Sequence, residues 1–75
     1  MVSIDLNRLT YREYREFLAA GENADEIGLL AKVVTAWDFA GDPADPASYE
    51  ALGMLDLLVV QAALRTAIAE ASAGN

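Results

Sequence analysis

The last third of the chain constrains its fold most. Residues 54–72 read as one long helix, yet their apolar side chains do not keep to one side. Leu55, Leu58, Val59, Ala62 and Ala69 mark one stripe, and Leu57, Val60, Leu64, Ile68 and Ala71 mark another. The polar residues Asp56, Gln61, Arg65, Thr66 and Glu70 fall on no common face. A helix that is apolar nearly all round requires neighbours on several sides. In 75 residues, with only two other segments of useful helical length, that is hard to achieve within one molecule. The pattern therefore predicts a small helical domain that leaves part of its last helix for a partner.

Composition narrows the class of partner. Twelve acidic and five basic side chains give a net charge of −7. So few cations cannot neutralise a phosphate backbone or hold an anionic lipid surface, so neither nucleic acid nor membrane is expected as a partner. The chain has no His and no Cys, which excludes an imidazole base, a thiolate nucleophile, a zinc finger, a haem ligand and a disulfide framework. With 55% hydrophobic residues the chain is too apolar for disorder. Without such a staple, a domain of this size needs a good core or a partner that completes it. No apolar run is long enough to cross a bilayer. The opening Met-Val-Ser-Ile-Asp-Leu lacks a leader pattern, so a reducing cytoplasm is the expected location.

The whole of 1–75 reads as a single, mainly α domain: a bundle of three to four helices with an extended N-terminal arm or short strand at 1–9. Val2, Ile4 and Leu6 alternate with Ser3, Asp5 and Asn7, the period of a half-buried strand. No second strand pattern is evident, so this segment is expected either to pair between molecules or to pack as an arm on its own helices. A helix is predicted over 10–21, opened by a Thr10–Glu13 capping box and stopped near Gly21. A second is predicted over 24–37, capped by Asn23 or Asp25, because Ile27, Leu30, Val34 and Trp37 recur at helical spacing. Residues 38–53 form a loop with both prolines and a short helical turn, for which Asp45 and Pro46 are a cap and first helical residue. The final helix runs over 54–72.

Chemistry-bearing constellations are few. Asp38, Asp42 and Asp45 cluster in the central loop, but their spacing does not fit a calcium loop, and short acidic side chains also form turns and caps. Arg8, Arg12 and Arg15 are offset by Asp5, Glu13 and Glu16. The five glycines are scattered and make no phosphate loop. No enzyme activity, cofactor or metal is expected. Trp37 and Phe39 flank Asp38, either as core residues tying loop to helix or as exposed aromatic anchors of the kind that dominate interfaces.

The central loop, Ala36-Trp37-Asp38-Phe39 followed by Gly41-Asp42-Pro43-Ala44-Asp45-Pro46-Ala47-Ser48-Tyr49, then Leu52 and an apolar helix from near Asp56, resembles that of small tail assembly chaperones of long-tailed bacteriophages. The opening Asp5-Leu6-Asn7-Arg8-Leu9-Thr10 leading into a helix is similar to how such proteins begin. The resemblance implies a small helical protein of the infected bacterial cytoplasm. Such a protein binds the long, helix-rich tape measure protein, keeps it soluble and helps recruit the tail tube protein. It also implies a short form, or the N-terminal domain of a longer frameshifted form. It transfers no catalytic or fixed binding residues.

These strands combine into one expectation. The chain binds protein partners and forms a homo-oligomer through Leu57, Val60, Leu64 and Ile68, with Trp37 and Phe39 as further partner-binding candidates. Two other classes fit the same composition: an acidic interaction module of antitoxin or anti-regulator type that masks a basic surface, and a structural virion component.

Overall fold

The computed structural model describes residues 1–73. Its elements follow in the order β1 (Ser3–Ile4), a 3-10 turn (Leu6–Arg8), α1 (Tyr11–Ala20), a second 3-10 turn (Gly21–Asn23), α2 (Glu26–Val33), β2 (Val34–Ala36), α3 (Pro46–Glu50) and α4 (Met54–Ala73). The chain is therefore mainly α with a short N-terminal strand, as its pattern predicts. The long axis of the molecule, 33 Å, is close to the length of α4 itself, since twenty helical residues rise about 30 Å.

Local chemistry sets most helix ends. Thr10 Oγ1 accepts from the Glu13 amide at 3.2 Å, and Glu13 Oε1 accepts from the Thr10 amide at 3.0 Å, which completes the capping box. Gly21 ends α1 at φ +56°, a left-handed backbone that suits glycine. Asp25 rather than Asn23 caps α2, its carboxylate accepting from the Gly28 amide at 2.9 Å. Asp45 caps α3, accepting from the Ala47 amide at 3.0 Å, with Pro46 at the first helical position.

The second helix is shorter than its periodicity predicts. It stops at Val33 instead of continuing to Trp37, and Val34–Ala36 becomes a strand. Val33, Val34 and Thr35 are consecutive β-branched residues, which lose side-chain freedom in a helix and suit an extended backbone. Residues 3–4 supply the partner. Ser3 pairs with Ala36 and Ile4 with Val34, antiparallel, with Thr35 the extra residue of a bulge. The Thr35 hydroxyl donates to the Ser3 carbonyl at 3.3 Å, and the Asp5 amide donates to the Val33 carbonyl at 2.8 Å. The N-terminal strand thus pairs within its own chain and not between molecules. Leu30 and Val34 still share the core side, which is why the helical spacing misled: four residues carry the chain back to one face whether or not the last of them is helical.

The core is small and drawn from four elements. Leu30, Val33, Val34, Tyr49 and Val60 are its fully buried large side chains, and Leu29, Ala31 and Leu64 complete it. Val2, Ile4, Leu6, Phe17 and Ile27 pack around it, half-buried. α1 contributes no fully buried residue. It is tied to α2 by an ion pair between Glu13 and Lys32.

That ion pair and the Thr10 bonds pull the Glu13 carboxyl down to about 2 from an ordinary value of 4.5. A depressed carboxylate contributes stability above its unfolded value and loses it as the pH falls towards the folded one. Glu13→Gln is expected to lower Tm at neutral pH. The gap to the native protein should close between about pH 4.5 and pH 2, as read by thermal melts across that range.

Candidate partner-binding surface

The aromatic candidates close the central loop. The Trp37 ring lies 4.8 Å from that of Tyr49, tilted by 55°, and 5.6 Å from that of Phe39 in an edge-on contact. Trp37 Nε1 donates to the Gly41 carbonyl at 3.0 Å. Gly41 has φ +90°, and a Cβ there would stand 2.7 Å from Ser48 Oγ, so both its backbone and its surroundings call for glycine. Ser48 Oγ in turn accepts from the Asp42 amide at 3.1 Å. Trp37 and Phe39 are both half-buried and hold loop to core; neither projects as a free anchor.

Tyr49 is the residue that the sequence pattern passed over. It is 1% exposed, and its hydroxyl donates to the Pro43 carbonyl at 2.6 Å. Burial, and then the nearby Asp42 charge, raise that hydroxyl to about 12. The signal available was a lone tyrosine just after the Asp-Pro cap. Nothing in its spacing said that it would face inward.

The loop aspartates serve the backbone. Asp42 Oδ1 accepts from the Ala44 amide at 2.9 Å, and Asp45 caps α3. Asp38 pairs with the N-terminal amine. Among the described residues no three His, Cys, Asp or Glu side chains gather where they could hold a metal ion. No described helix is long and apolar enough to cross a membrane.

The two stripes of α4 meet different fates. Val60 and Leu64 are buried in the core, and Leu57 and Ile68 pack half-buried against it. The set expected to mediate oligomerisation is therefore the face that α4 turns to its own molecule. The fold can use only one side of α4, and it uses the stripe with Leu64 and Ile68. The opposite stripe is left in solvent: Leu55 is 79% exposed, Val59 53% and Leu58 43%.

A second apolar feature lies where α1 passes α4. Two neighbouring hollows share Tyr14 and Ile68. One, of about 350 Å³, is lined by Tyr14, Phe17, Leu18, Leu64 and Ile68, with Glu26 and Arg65 at its edge. The other, of about 300 Å³, continues past Leu6, Leu9 and Tyr11 towards the C-terminal turns of α4. Together they make an open crevice, mostly apolar, with Thr10, Glu26, Gln61, Arg65 and Ser72 as its polar lining. Leu64 and Ile68 thus reach a surface after all, as part of its floor.

No protein-family model, curated protein or solved structure matches the chain.

Three changes probe this arrangement. Tyr49→Phe removes one buried hydrogen bond and should cost about 1 kcal/mol, or roughly 5 °C in Tm for a domain of this size. Val60→Asp places a charge in the core and should unfold the domain, whereas Val59→Asp, one residue earlier on the solvent side, should leave the fold intact. Circular dichroism melts of the three variants check both.

Proposed function

We propose that this chain is a helix-binding chaperone of the phage tail assembly type. Its client is the long, helix-rich tape measure protein, and the binding site is the crevice between α1 and α4. The crevice carries this reading. Its lining is mostly apolar, it is open, and it runs between α1 and α4, with Leu6, Leu9 and Glu26 contributing from other segments. An amphipathic client helix presents an apolar stripe of the kind such a groove accepts. The negative charge of the chain would keep the complex soluble. The loop from Ala36 to Tyr49 adds the sequence resemblance. On this reading the protein acts in the cytoplasm of the infected bacterial host, helps bring the tail tube protein to its client, and binds without catalysing. The two most perturbed ionisable groups, Glu13 and Tyr49, both have structural partners.

Co-expression with the tape measure protein from the same genome tests the proposal. The client, insoluble alone, should be recovered in a soluble complex. Leu18→Glu introduces a charge on the crevice wall at a residue that is 58% exposed. It should abolish recovery while leaving the stability of the domain within about 0.5 kcal/mol of the native value. A folded, well-expressed native chain that recovers no client would overturn the reading and favour an acidic module for a cationic partner, whose binding would weaken with salt.

A further inference from the structure

The solvent-facing stripe of α4 lies on the opposite side of the helix from the crevice, and its pattern is more specific than exposure alone. Leu55, Val59, Ala62, Thr66, Ala69 and Ala73 recur at alternating steps of four and three residues. All six are exposed. This is the spacing of a coiled-coil seam, with Val59, Thr66 and Ala73 at one core position and Leu55, Ala62 and Ala69 at the other. In parallel coiled coils a β-branched residue at the first position with leucine at the second, as in Val59 and Leu55, favours two strands. The alanines let two helix backbones approach closely.

Charge on the two flanks of the seam selects the occupant. Arg65 borders it on one side, and Asp56 and Glu70 border it on the other. Arg65 and Glu70 are five residues apart, beyond the three or four at which side chains meet within a helix. Neither takes part in an ion pair among the described residues. In a parallel, in-register pair of identical helices, these flanks face each other across the seam, and Arg65 of one copy meets Glu70 of the other. In an antiparallel pair like flanks face each other, so Arg65 would meet no acid and the flank with Asp56 and Glu70 would face its own copy. The rest of the fold packs behind α4, on the Val60 and Leu64 side, so a second copy meets no obstruction.

We infer that the exposed face of α4 binds a second copy of this chain as a parallel, in-register helix pair, sealed by reciprocal Arg65–Glu70 bridges. The dimer is built on the far side of α4 from Val60 and Leu64, and Arg65, which also lines the crevice, is the residue the two surfaces share.

The natural absence of cysteine makes the test direct. Ala62→Cys and Ala69→Cys each place one thiol at the seam, and Ala19→Cys places one on exposed α1 as a control. Under mild oxidation both seam variants should cross-link to covalent dimers much faster than the control. Cross-linking at only one of the two, or at neither, would overturn the parallel register. Sedimentation equilibrium at high micromolar concentration should show a native dimer, and Leu55→Asp should be a folded monomer; a monomeric native chain would overturn the proposal outright. Arg65→Glu and Glu70→Arg should each weaken the dimer, and the double reversal should restore it. A double variant no tighter than the single ones would remove the bridge from the account.

Discussion

Where α2 ends, the carbonyl of Val33 is taken by the amide of Asp5 instead of by a further helical turn, and most of the architecture follows from that exchange. It stops the helix, starts β2 and fastens the N-terminal arm over the core. It also turns the chain so that Trp37 enters the central loop beside Tyr49. A lone strand at the N-terminus has backbone groups that must be paired. Three consecutive β-branched residues provide the edge that pairs them. Without this pairing the arm would have no fixed place, and the loop would begin from the end of a longer helix pointing elsewhere.

The second constraint is size. A domain this small buries few residues, and here four elements contribute to a core of eight. One long helix cannot be enclosed by so little structure. α4 therefore buries the Val60 and Leu64 stripe and leaves the Leu55 and Val59 stripe in water. That exposed stripe is the surface on which the proposed dimer is built. The crevice beside α1 arises from the same shortage: α1 is held by a capping box, an ion pair and half-buried contacts, not by a deep core of its own. Both proposed surfaces are thus consequences of a small domain built around a helix that is apolar on two sides.

Much of this was legible from residue types that act locally. The Thr10–Glu13 box, the Asp45–Pro46 start and the glycine stop after α1 depend on bonds between residues two or three apart, so their sequence signatures carry over directly. The turn-forming role of Asp42 and Asp45 is local for the same reason. The extent of α2 was not legible, because Val34 occupies the same face whether helical or extended. Choosing between the two required the arm from the other end of the chain. Tyr49 was missed because one aromatic residue has no period.

The sequence by itself determined that the chain is mainly helical, where most helices start, and that α4 carries more apolar surface than one molecule can cover. These are properties of neighbouring side chains and hold before any long-range contact forms. Only the tertiary structure decided which stripe of α4 faces inward, that the N-terminal strand pairs with Val34–Ala36, and that Trp37 and Phe39 brace the loop. Each of those outcomes depends on segments distant in the chain competing for one small core. The side that Leu30, Val33 and Tyr49 fill is the side that α4 must cover, and the remaining face is left in solvent.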